Sequence, residues 1–82
     1  MTLTMSEYSL LNKIARKTNM HCWFSIIEDS HGSYFVFDIE NNKRISLKSG
    51  IKQFFQGLTE EDINNLSDIE KDICINVMVK LF

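Results

Sequence analysis

The chain contains no proline and only three glycines. It has no linker, repeat or low-complexity run, so its 82 residues offer no domain boundary and read as one domain. Gly32, Gly50 and Gly57 are scattered, which excludes a glycine-rich phosphate loop. No apolar run approaches the roughly 20 residues of a membrane-spanning helix. The opening MTLTMSEYS lacks a basic region followed by a long apolar core, so no secretory signal is expected and a cytoplasmic location follows by default. Cysteine is scarce too. Cys22 and Cys74 have no close-spaced partner of the kind a zinc site uses. Each sits in an apolar pattern and reads as a free buried thiol, with a bridge between the first strand and the last helix as the alternative. His21 adjoins Cys22, but neighbouring strand residues face opposite ways, so they do not converge as a nucleophile pair. His31 falls in a polar turn and reads as solvated. No metal, cofactor or catalytic set is expected.

What is present is ordinary globular composition, 44% hydrophobic and 24% charged, which argues against disorder. The formal charge of −2 is unevenly spread. Met1–Gly57 holds seven basic and five acidic residues, and Leu58–Phe82 two basic and six acidic. The acidic second part disfavours simple electrostatic binding of nucleic acid. Abundant Ile, Asn and Lys with little Arg resembles coding from an AT-rich bacterial or phage genome.

The stretch Met20–Leu47 organises the rest. Its three short runs rich in aromatic and β-branched residues, Met20–Ile27, Ser33–Ile39 and Arg44–Leu47, predict a three-stranded antiparallel meander. Loop parity decides which residues share a face. A four-residue loop, Asp29–Gly32, sets Phe24 across from Phe37 and Ile26 from Phe35. One face is then purely apolar: Cys22, Phe24, Ile26, Phe35, Phe37 and Ile39. That parity is preferred over a five-residue loop because a clean face packs under helices. For the second turn, a three-residue loop Asn41–Lys43 sends Ile45 and Leu47 to the same face. A two-residue Asn41-Asn42 turn, which suits asparagine's tolerance of positive φ, would send them to the other. The outer face would carry Trp23, Ser25, Ile27, Tyr34, Val36, Asp38, Arg44 and Ser46.

Helices flank the meander. Thr4 and Glu7 form a capping box for a helix running to about Thr18, with Tyr8, Leu11, Ile14, Ala15 and Thr18 on one stripe. Ser49 is the expected cap of a short helix, Gly50–Gln56, that buries Ile51, Phe54 and Phe55. Thr59 with Glu60, Glu61 and Asp62 opens another turn or two, where the acids suit a helix start. Ser67 and Glu70 form a second capping box for the last helix, whose buried stripe is Ile69, Ile73, Val77 and Leu81, widened by Cys74 and Met78. The expected class is α+β, in two layers, in the order α-β-β-β-α-α-α.

The functional expectation is a small non-enzymatic protein-binding or regulatory module. Its partner-binding residues are Trp23, Ser25, Tyr34, Val36 and Arg44. The first strand has no charge from Met20 to Ile27, so as an edge it calls for cover, either by a helix of the chain or, as the preferred expectation, by the same strand of a second copy in a homodimer through Met20 to Ile27. The alternative is nucleic-acid binding, with Trp23 and Tyr34 as a stacking platform beside Lys43, Arg44, Lys48 and Lys52. The plainer reading of those bases is a solvated rim guarding an edge strand.

Overall fold

The computed structural model describes residues 3–18, 20 and 23–82. Its order is α1 (Met5–Lys17), β1 (Phe24–Glu28), β2 (Tyr34–Asp38), β3 (Lys43–Ser46), α2 (Leu47–Gly57), α3 (Glu60–Asn64) and α4 (Asp68–Leu81). This is the expected α+β meander with flanking helices, β2 lying between β1 and β3. His21 and Cys22 lie outside the described residues.

Three capping boxes start helices. Thr4 and Glu7 open α1, Thr59 and Asp62 open α3, and Ser67 and Glu70 open α4. The α1 stripe Tyr8, Leu11, Ile14, Ala15 and Thr18 is buried throughout. The cap of α2 is Ser46 rather than Ser49. The Ser46 hydroxyl accepts from the Ser49 amide, which draws Leu47 out of the strand and into the helix. β1 begins only at Phe24, because the Trp23 amide donates to the Met20 carbonyl and turns the chain there.

The register corrects the expected faces. Phe24 pairs with Asp38, Ile26 with Val36 and Glu28 with Tyr34, so the β1–β2 connection has odd parity. Its turn chemistry explains why. Asp29 donates its amide to the Ser33 carbonyl at 2.8 Å, and its carboxylate accepts from the His31 and Ser33 amides. Gly32, at φ +80°, donates to the Asp29 carbonyl. A type I turn followed by a left-handed glycine makes a three-residue tip, Ser30–Gly32, and that device outweighs the tidier apolar face of an even loop. The second connection is a four-residue loop, Ile39–Asn42, with Asp38 opposite Lys43 and Asn42 at φ 51°. Ile45 therefore lies beside Val36, on the Tyr34 side.

Phe24, Ile26, Tyr34, Val36, Asp38 and Ile45 thus make the inner face, and Phe35 and Phe37 turn outward. Val36 is fully buried because α2 lies directly on it. A Cβ placed on Gly50 would come within 2.4 Å of the Val36 side chain, so the helix backbone itself touches the sheet. A phenylalanine could not fit beneath so close a helix. Phe24 stacks on Phe54 of α2, and Tyr34 on Tyr8 of α1.

α4 runs antiparallel to α1, tied at both ends. Lys17 reaches Glu70 at 3.1 Å, and Lys80 reaches Glu7 at 2.6 Å. Each glutamate also serves its own capping box. With Glu70 turned inward, the buried arc of α4 runs through Glu70, Cys74 and Val77. Ile73 and Leu81 are half-buried, and the expected stripe residue Ile69 is 71% exposed.

Candidate functional site

The residues singled out for binding do not form one surface. Tyr34 and Val36 face inward, and Val36 has no exposure at all, so the odd hairpin parity removes both from the outer face. Trp23 precedes β1 at the end of the sheet away from Tyr34, half-buried, its indole N–H donating to the Met20 sulfur. The two aromatics therefore share no stacking platform. Only Ser25 and Arg44 remain on the outer face, in one cross-strand row with Phe37 between them. Arg44 lies 3.9 Å over the Phe35 ring and reaches Asp29 at 2.8 Å. The guanidinium, with amides of the turn, holds the Asp29 carboxyl below its usual range. Arg44 is thus engaged as a screen over an aromatic. Lys43, Lys48 and Lys52 are exposed.

The edge of β1 is met by a helix of the same chain. The Ile26 amide donates to the Asn12 carboxamide of α1 at 3.3 Å. That is the first of the two forms of cover expected for this strand. It occupies an amide that a second copy's strand would need.

A further apolar feature lies where the end of α2, α3 and α4 meet. A cavity of about 320 Å³ is lined by Phe55, Leu58, Ile63, Leu66, Lys71, Cys74, Ile75 and Met78. Lys71 is its single charged wall residue. The apolar surface continues along α4 from the cavity wall, where Ile75 is 53% exposed, to Val79 at 76% and Phe82 at 55%. Residues 75, 78, 79 and 82 follow the i, i+3, i+4, i+7 spacing of one helix face. The chain thus carries a second apolar stripe on α4, opposite the one that packs on α1. Its signal was in the sequence: ICINVMVKLF is interrupted only by Asn76 and Lys80 and carries more apolar residues than one buried stripe requires. Assigning Met78 to the buried side concealed it.

Burial pushes the Cys74 thiol up to about 11, with the Glu70 charge adding to it, so Cys74 stays protonated and is a poor nucleophile. Cys74 is a free thiol, as expected. Among the described residues, no group of three or more His, Cys, Asp or Glu could hold a metal ion. His31 is exposed at the hairpin tip. No described helix is long and apolar enough to cross a membrane. Neither a family model, nor a curated protein, nor a solved structure matches this chain.

Proposed function

We propose that this chain is a non-enzymatic protein-binding module, and that its working surface is the groove between α3 and α4 with the exposed stripe of α4. The observation that carries this reading is Ile75, Met78, Val79 and Phe82 standing in solvent on one helix face beside an apolar cavity. Scattered exposed apolar residues are ordinary, but a contiguous stripe running into a groove is the mark of an interaction site. The outer sheet face is the weaker surface, because Arg44 already covers Phe35.

The test is affinity capture from the source cells with three baits: the native chain, Ile75→Asp/Val79→Asp, and Phe35→Ser. A specific partner held by the native chain and by Phe35→Ser, and lost with the α4 variant, is the expected result. Capture unchanged by the α4 variant would remove this surface from the reading. Nucleic acid is the competing ligand. Without a Trp23/Tyr34 platform it would rest on Lys43, Arg44, Lys48 and Lys52 alone. Salt-sensitive binding of labelled oligonucleotides, weakened by Lys48→Ala/Lys52→Ala, would replace the protein reading.

A further inference from the structure

The geometry points to the occupant of this groove: an amphipathic helix of another protein, apolar on one face and basic along its flanks. This inference rests on the reading of the α4 face as a protein interface.

The walls of the groove come from two helices, the end of a third and the short links between them. They include no strand to which an extended peptide could add main-chain hydrogen bonds. A segment that buries apolar side chains here must satisfy its own backbone, and a helix does so. The exposed residues of α4 lie in a straight row, the shape against which a second helix packs. Ile75 and Met78 of the groove wall are themselves exposed and share a helix face with Val79 and Phe82, and the groove lacks the several converging polar groups that small molecules need.

Charge selects between partners. Asp72 stands one turn before Ile75, and Asp68 one turn before Asp72, so both lie on the exposed face of α4. Glu60 stands three residues before Ile63 on α3, on the side that lines the groove. All three carboxylates belong to exposed residues, against the single charge of Lys71. The other lysine of this half, Lys80, is taken by Glu7. A second copy of this chain would bring the same acids to the same contact. A basic helix meets them with opposite charge.

The experiment uses two fluorescein-labelled synthetic helices of about 18 residues, long enough to lie along the whole of α4. They share one Leu/Phe stripe and differ only in flanks of Lys and Arg or of Glu. Fluorescence anisotropy with the full chain is measured at about 50 mM and about 200 mM salt. The basic helix is expected to bind about tenfold or more tightly than the acidic one, with the gap narrowing as salt rises. Asp68→Asn/Asp72→Asn should weaken the basic helix about fivefold and leave the acidic helix no weaker. Ile75→Asp/Val79→Asp, at exposed positions where circular dichroism should show an intact fold, should abolish binding of both. Equal affinity for the two helices overturns the charge assignment, while loss of both in the α4 variant still upholds the interface. Binding of neither helix overturns a helical occupant. A concentration-dependent dimer that Ile75→Asp/Val79→Asp dissolves gives the face to a second copy and overturns the proposal.

Discussion

α1 and α4 are two versions of one helix. Each opens with a hydroxyl-and-glutamate capping box, and each lends a lysine near its far end to the other's glutamate. They lie antiparallel, so positive side chains stand where each helix dipole is negative and carboxylates where it is positive. The polar design is the same, and the apolar design is not. α1 spends its stripe wholly on the interior, and Met5 is its only large apolar residue left well exposed among those described. α4 buries Cys74 and Val77 and leaves Ile69, Ile75, Met78 and Val79 outside. The fold accounts for every apolar residue on the buried face of α1. It accounts for about half of those on α4, and the remainder stands in solvent.

The contrast should show first in core truncation. Leu11 of α1 is completely buried, so Leu11→Ala should cost about 2–5 kcal/mol. Val79→Ala on α4 should fall within about 0.5 kcal/mol of the native chain. Urea unfolding of both variants makes the measurement. Comparable losses would mean that α4 is packed on its outer side and would end the comparison.

α2 repeats the contrast between its two ends. Gly50→Ala drives a methyl into Val36 and should cost about 1–3 kcal/mol, although alanine favours helix. Gly57→Ala meets only the flexible tip of Met20 and should cost little or gain up to about 1 kcal/mol. Thermal melts of the pair read this directly. If Gly50→Ala proved stabilising, α2 would not lie as close on the sheet as described.

The shared polar design predicts acid sensitivity. Burial works against the Glu7 carboxylate, but the Lys80 ammonium and the Thr4 amide and hydroxyl outweigh it and hold its pKa below the ordinary value. Glu70 is lowered first by the Ser67 amide, against burial and with help from Lys17. For both groups the unfolded chain takes up protons before the folded one does. Their stabilisation is therefore complete above the unfolded value of about 4.3 and is lost as pH falls through the lower folded values. Melting temperature against pH should show this acid limb, and Glu7→Gln/Glu70→Gln should flatten it. An unaltered limb would place the acid sensitivity in other carboxylates.

The smallest effect concerns the strand edge beside α1. Asn12→Ala frees the Ile26 amide and should cost about 0.5–1.5 kcal/mol. If Asn12 guards this edge, the variant should also self-associate more than the native chain in sedimentation equilibrium. Self-association of the native chain that Ile75→Asp leaves intact would revive pairing through β1.

Local chemistry made much of the architecture legible in advance. The α1 stripe could be read because helical period and capping act within a few residues, and the strands because short β-branched and aromatic runs allow little else. The hairpin parity was also within reach. The run Asp-Ser-His-Gly carries the carboxylate and the left-handed glycine of a three-residue tip, but the appeal of a uniform Phe24/Phe35/Phe37 face hid it. The misplacement of Tyr34 and Val36 follows from that one step, since a change of parity exchanges every residue of β2 between the two faces, while Trp23 is lost to the turn before β1.

The sequence by itself determined the order of elements, the three capping boxes and the burial of one side of α1, because each depends on neighbours along the chain. Only the tertiary structure decided which face of the meander α2 covers and that its Gly50 backbone lies directly on Val36, since that depends on how closely two elements can approach. It also decided that Glu70 rather than Ile69 turns toward α1, because the lysine that draws Glu70 inward comes from a helix 53 residues away. That rotation leaves Ile75, Val79 and Phe82 in solvent, and no property of α4 read alone could have chosen which of its apolar sides would face inward.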